Sequence, residues 1–259
     1  MAAVSPTSQP DTPRIAGDGV PESAWRRSAW LAALPALPAQ AWLTGTSRVV
    51  VVSPHPDDEA LGCGGLIATA RAMGLPVHVV SVTDGEACYP DSPVWPAERL
   101  RTVRRRELDC ALAILGVEID AIDTLDIGDG RVAERETELA HALAPLLHTG
   151  DRVLTTWRGD GHPDHEATAR AVECAAARRG AEVVQFPVWA WHWLSPGAAQ
   201  TPLPGAQRLV LTPAACRAKA AALGCFVSQL HDDRPGTPDP ILPPHVLERF
   251  DRDFEVVLA

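Results

Sequence analysis

The sequence predicts a single α/β domain, a mostly parallel, Rossmann-like sheet flanked by helices, on three observations. Val49-Val50-Val51-Val52 is a β-branched run, bounded by Arg48 and Ser53 and followed at once by helix-forming sequence. A strand buried on both faces of a parallel sheet reads this way. The same strand-then-helix alternation recurs as far as residue 188, which argues for successive βαβ units. The chain length, 259 residues of which 46% are hydrophobic, suits one α/β domain of about 250 residues.

Taken in order, residues 1–22 are rich in Pro, Ser, Thr and Gly and offer little apolar surface to offset ordering. We expect a flexible N-terminal segment there and the domain over 23–259. A helix is expected over 24–34, limited by Pro35 and Pro38. Strand 48–53 leads into helix 56–73, with Gly74 as its stop. Strand 77–82, helix 96–115 ended by Gly116, and strand 118–125 follow. Next come helix 134–148, which Pro145 is placed to kink, strand 152–157, helix 163–179 ended by Gly180, and strand 182–188. Beyond Trp189 the pattern loosens into a strand at 207–211, a helix at 213–223, a Pro-rich loop at 234–244 and a last strand at 254–258.

Charge narrows the function. Lys and Arg number 23 against 33 Asp and Glu, a formal net charge of −10. Such a chain lacks the basic footprint of a nucleic-acid or anionic-membrane binder. No apolar run approaches the ~20 residues that span a bilayer. Residues 1–20 hold no apolar core of a secretory signal, so a cytoplasmic location is expected. The six cysteines are scattered with no C-x-x-C pair, which reads as buried thiols rather than a disulfide framework.

Two motifs carry the chemistry. Pro54-His55-Pro56-Asp57-Asp58-Glu59 follows the first predicted strand, and Gly161-His162-Pro163-Asp164-His165-Glu166 follows a later one. Both sit where a strand hands over to a helix, at the carboxyl edge where open α/β sheets bind ligands. The acids alone have a simpler reading, since Asp and Glu favour a helix N-terminus. Two His-Pro-Asp cores on one edge, however, offer the imidazoles and carboxylates that borderline metals such as Zn²⁺ accept. Three protein ligands with an open position make a hydrolytic centre. Asp57 and Asp58 project differently, so one suits ligation and the other proton transfer; spacing does not say which.

These residues, with Leu61-Gly62-Cys63-Gly64-Gly65 after the first motif, resemble the LmbE/PIG-L-like zinc-dependent N-deacetylases. Thr83-Asp84-Gly85-Glu86, Arg104-x-x-Glu107-Leu108, Leu115-Gly116 and Ser228-Gln229 extend the likeness over roughly 47–229. The resemblance implies an LmbE-like fold with one Zn²⁺ per chain (Fe²⁺ being the other candidate), held by His55, Asp58 and His165. It makes Asp57 the general base that activates water, and His162 the imidazole that stabilises the oxyanion and protonates the leaving amine. Asp164 is then a candidate to orient His162, and Arg104 to bind the substrate. The implied substrate is a small N-acylated molecule, an amino sugar, losing its acetyl group. Two alternatives remain beside it: the same centre acting on a non-sugar amide of a secondary metabolite, and a non-catalytic sugar- or nucleotide-binding module.

Other residues leave the substrate open. Trp189, Trp191 and Trp193 alternate and would share one strand face, as core or as a substrate wall, with His192 turned the other way. Asp126 and Asp129 read first as turn residues, and Cys63 as a small side chain packed between helix and sheet.

Overall fold

The computed structural model describes residues 15–197, 203–230 and 238–259. Its strands are β1 (Ala36–Pro38), β2 (Arg48–Ser53), β3 (Val77–Ser81), β4 (Ile122–Thr124), β5 (Asp151–Thr156), β6 (Glu182–Phe186), β7 (Ala206–Val210) and β8 (Phe254–Leu258). The helices are α1 (Glu22–Arg26), α2 (Ala29–Ala33), α3 (Ala39–Trp42), α4 (Asp58–Ala72), α5 (Ala97–Ile114), α6 (Glu136–Leu143), α7 (Pro163–Arg179), α8 (Ala190–Trp193), α9 (Pro213–Leu223), α10 (Val227–Leu230) and α11 (Pro244–Leu247). One eight-stranded sheet runs β1-β7-β8-β6-β5-β2-β3-β4. Every pairing is parallel except those of β8 with β6 and β7.

Strand β2 shows why the β-branched run matters. Val49 and Val51 enter one apolar layer with Leu66, Ile67 and Leu112; Val50 and Val52 enter the other with Leu139, Leu143 and Val172. Alternate side chains leave opposite faces of a strand, so both faces here are covered: α4, α5 and α9 pack one, α6 and α7 the other. The chain leaves β2 to build β3 and β4 on one side and returns to build β5 on the other. The junction of β2 and β5 is therefore the point where strand order reverses, the usual ligand crevice of such sheets.

Four expected elements are corrected. The helix expected over 24–34 is two short helices, because Ser28 accepts the Leu31 N–H at 3.3 Å and caps α2. The strand expected over 118–125 shrinks to β4 after a 3-10 turn at Ile119–Ala121. The helix expected over 134–148 is α6 between two 3-10 turns; Pro145, with no N–H to donate, stops it at Leu143. The tryptophan segment is helix α8, so its three indoles do not share a strand face. The edge strand β1, not expected, tolerates Pro38 because an edge leaves one side of the backbone unpaired.

Residues 1–14 of the expected flexible segment, and 234–237 of the Pro-rich loop, lie outside the described residues. Residues 15–22 are seated: the Val20 N–H donates to His192 O at 2.8 Å, and Arg249 Nε donates to Val20 O at 2.8 Å. Among the described residues, no helix is long and apolar enough to cross a membrane.

Candidate metal centre and its cleft

Both motifs land at the β2/β5 junction. The first begins where β2 ends at Ser53 and closes into α4; the second spans the loop after β5 and the first turn of α7. Asp57, the residue before α4, has φ 123° and ψ −31°. A non-glycine residue there carries strain of about 1–3 kcal/mol, which its surroundings must hold. Its N–H donates to Glu59 Oε2 at 3.2 Å, and its carbonyl accepts the Leu61 N–H at 2.8 Å. Arg104 Nη2 donates to Asp57 Oδ2 at 2.8 Å and to Pro56 O.

Three side-chain atoms converge. His55 Nδ1 and His165 Nε2 each lie 3.2 Å from Asp58 Oδ2 and 3.3 Å from one another. Ligands at 2.0–2.1 Å from a tetrahedral zinc are separated by about 3.3–3.4 Å, so this near-equilateral triangle has the size of a tetrahedral face. The far side of each ring supports that use. His165 Nδ1 lies 2.8 Å from Asp160 Oδ2, and His55 Nε2 lies 3.1 Å from Asp129 Oδ1 and 3.3 Å from Asp164 Oδ2. Donating those N–H groups to carboxylates leaves Nε2 of His165 and Nδ1 of His55 as lone pairs, the arrangement that orients ligating imidazoles. The donor set of two imidazoles and a carboxylate fits a borderline divalent cation.

The electrostatics agree. Burial lowers the His165 pKa, but Asp58 and Asp160 outweigh it and raise it to about 9. His55 is likewise depressed by burial and driven well above its ordinary value by Asp129, Asp164 and Asp58. Burial works against ionising Asp58, yet the two imidazoles hold its carboxyl well below the usual range. The pocket is built to favour positive charge. Burial raises Asp57 to about 7 against the pull of Arg104. Burial, then the neighbouring His165 and His55, lower His162 to about 3, which keeps it neutral at physiological pH.

His162 completes the group: one ring nitrogen each from His55, His162 and His165 lies within 4.8 Å of the others. Its Nδ1 accepts the Asp164 N–H at 3.2 Å, so the neutral ring carries its proton on Nε2. Above these residues opens a cavity of about 250 Å³, lined on its polar side by His55, Asp57, Asp58, Arg104, Asp129 and His162. Leu61, Val188, Trp189, Ile241 and Leu242 supply its apolar lining, with Gln229 between.

The sequence expectations meet this geometry unevenly. Arg104 lines the cleft but is 3% exposed, and its terminal nitrogens are bonded to Gly85 O, Pro56 O and Asp57. The carboxylate of Asp164 does not orient His162; it accepts the N–H groups of Gly130 (2.7 Å) and Val132 (3.2 Å) and faces His55. Asp126 is a turn residue at φ 53°, whereas Asp129 turns inward to His55. Trp191 is core, edge-on to Trp25; Trp193 donates to Asp160 O; only Trp189 reaches the cleft. His192 is buried between Ala16 O and Arg249. Cys63 is fully buried in the helix–sheet contact, as expected.

Two residues escaped the sequence reading. Asp160 is fully buried and accepts the N–H groups of Val188, Trp189 and Ala190, each at 2.9 Å, while holding His165. Glu59, read as a helix-terminal acid, is fully buried; burial raises its carboxyl to about 8, and it accepts from Ser53 Oγ and the Asp57 N–H. A position five residues before His165 is the only sequence signal Asp160 offers.

Residues 50–176 match the family PIG-L, described as GlcNAc-PI de-N-acetylase. A 1D-myo-inositol 2-acetamido-2-deoxy-alpha-D-glucopyranoside deacetylase of Mycolicibacterium gilvum is 33% identical over 183 residues, covering 60% of this chain and 62% of that one. A probable N-acetyl-alpha-D-glucosaminyl L-malate deacetylase of Bacillus subtilis is 33% identical over 146 residues, covering 52% and 63%. The alignments thus span about six tenths of these curated relatives. The solved structure of an A40926 pseudoaglycone deacetylase superposes with a TM-score of 0.54 at 27% identity, covering 70% of this chain and 81% of that one. The matched span holds both motifs and all three atoms of the triangle, so the likeness to the PIG-L (LmbE-like) family rests on the residues of the candidate site.

Proposed function

We propose that this protein is a zinc-dependent hydrolase that removes an N-acetyl group from a small amino-sugar-containing molecule. The observation that carries the reading is the triangle of His55, Asp58 and His165 with Asp57 beside it at the floor of the cleft. The named activities of the relatives supply the substrate class.

His55, Asp58 and His165 would hold the ion, which when bound polarises an acyl carbonyl and acidifies water. Asp57 takes the proton of the attacking water. Arg104 occupies its Oδ2, so Oδ1 receives that proton. His162, neutral, presents Nε2–H to the carbonyl oxygen as negative charge develops there. An imidazole this weakly basic is a poor acid catalyst, so Asp57 is the better donor to the departing amine. Trp189 and Leu61 offer apolar area to the rest of the substrate.

The test is a mass-spectrometric screen for acyl loss across N-acetylglucosaminides and other amides, with metal-stripped protein as control. Acetate release that returns on adding Zn²⁺ supports the reading, and return with Fe²⁺ alone reassigns the metal. Bound zinc without acyl loss on the whole panel replaces the enzyme with a sugar- or nucleotide-binding module.

A further inference from the structure

Helix α5 carries Arg104, Glu107 and Cys110 at a spacing of three. Residues three apart are neighbours on one helix face, and each of these reaches a different partner. Arg104 holds Asp57. The Glu107 carboxylate accepts the Ser228 N–H and the Ser228 hydroxyl, both at 2.7 Å, which ties α10 to α5. One turn further on, Cys110 Sγ lies 2.7 Å from Cys225 Sγ, in the turn between α9 and α10.

Two unbonded sulfur atoms do not rest so close. The gap exceeds an S–S bond by only about 0.7 Å, a distance that side-chain rotation closes. Cys110 is exposed and open to an oxidant, whereas Cys63 is buried. Cys225 is half-buried, so Cys110 is the first of the two that an oxidant reaches.

We propose that Cys110 and Cys225 are a modification site: a reversible intramolecular disulfide that locks α10, and with it the Gln229 wall of the cleft, onto α5. The oxidant is a low-molecular-weight disulfide, RSSR. The Cys110 thiolate attacks one of its sulfurs and releases RS⁻, forming a mixed disulfide; the Cys225 thiolate then displaces the second RS⁻. The protein gives up two electrons and two protons, and the oxidant leaves as two RSH. The pair is 115 residues apart in sequence, so the scattered cysteines carried no sign of it. The inference stands apart from the proposed hydrolysis and survives its failure.

The full chain is incubated with oxidised glutathione, excess reagent is removed, free thiols are alkylated, and the tryptic fragments are mapped without reduction. The expected result is one linked pair of fragments carrying Cys110 and Cys225, two hydrogens lighter than its reduced parts. The melting temperature should rise by roughly 5 °C or more, because the bond closes a long loop in the unfolded chain. Dithiothreitol should reverse both changes. Cys110→Ser and Cys225→Ala should each abolish them, while Cys174→Ser should not. Glutathione adducts on both cysteines without a cross-link overturn the site. A cross-link that leaves the melting temperature unmoved overturns the lock.

Discussion

Arg104 Nη2 meets Asp57 Oδ2 at 2.8 Å, so an arginine on α5 holds the acid of the first motif in its left-handed backbone conformation. Its Nη1 also donates to Gly85 O at 3.1 Å. On the proposed mechanism Arg104 is a positioning residue for Asp57. Arg104→Met should lower kcat by about 10² with little change in KM, because a displaced base weakens the transition state rather than ground-state binding. A rise in KM alone would instead place Arg104 on the substrate.

Asp57→Asn should keep one metal per chain and lose about 10²–10⁴ in kcat, the usual cost of removing a general base. Metal content by plasma emission alongside acetate release checks both halves. Loss of the metal from this variant would make Asp57 a ligand.

His165→Ala should lose the metal altogether. Asp160→Asn keeps the ligand but removes the carboxylate that sets its tautomer, and should weaken metal affinity about 10–100-fold. Chelator competition measures it. Unchanged zinc in His165→Ala would contradict the ligand assignment.

Helix α4 breaks at Cys63 (φ −143°, ψ 21°), and its second half begins with bare N–H groups. The Glu255 carboxylate of β8 accepts those of Gly65 and Leu66 at 2.8 Å and receives Lys219 Nζ at 2.8 Å. Glu255→Leu strands a buried ammonium and two donors and should cost about 3–5 kcal/mol. Lys219→Met leaves the carboxylate its two N–H partners and should cost less. Equal losses on urea unfolding would mean that capping the second half of α4 contributes nothing.

A Cβ on Gly62 would lie 2.0 Å from Phe186 Cδ2, inside the packed contact of α4 with β6. Gly62→Ala should therefore destabilise by about 1–3 kcal/mol or more. At Gly74 (φ +77°) nothing lies within 4 Å of an added Cβ, and Gly74→Ala should cost only the backbone term of about 1 kcal/mol. Comparing their melting curves separates overpacking from conformational strain.

The two motifs and the buried strand were legible because each is a local pattern: a period, a β-branched run, a His-Pro-Asp core beside a helix start. Strand 118–125 and the tryptophan segment were misread for the complementary reason. Alternating apolar residues fit a strand, and only the Asp160 carboxylate, accepting three consecutive N–H groups, turns 188–190 into the start of a helix. Arg104, expected to bind the substrate, is instead buried against the β2 loop by the packing of α5, a contact that no local pattern carries.

The linear chain alone determined a mostly parallel α/β architecture, a ligand edge, and two motifs whose imidazoles and carboxylates lie there; that Asp58 rather than Asp57 joins His55 and His165 was implied only by the family resemblance. Tertiary structure alone decided that Asp160 and Asp129 orient the two imidazoles, that Arg104 faces Asp57, and that Cys110 touches Cys225. The division is physical. Side-chain periodicity and helix-end chemistry act within a few residues and are written in order along the chain, whereas a partner fifty or a hundred residues away is set by how helices seat on the sheet.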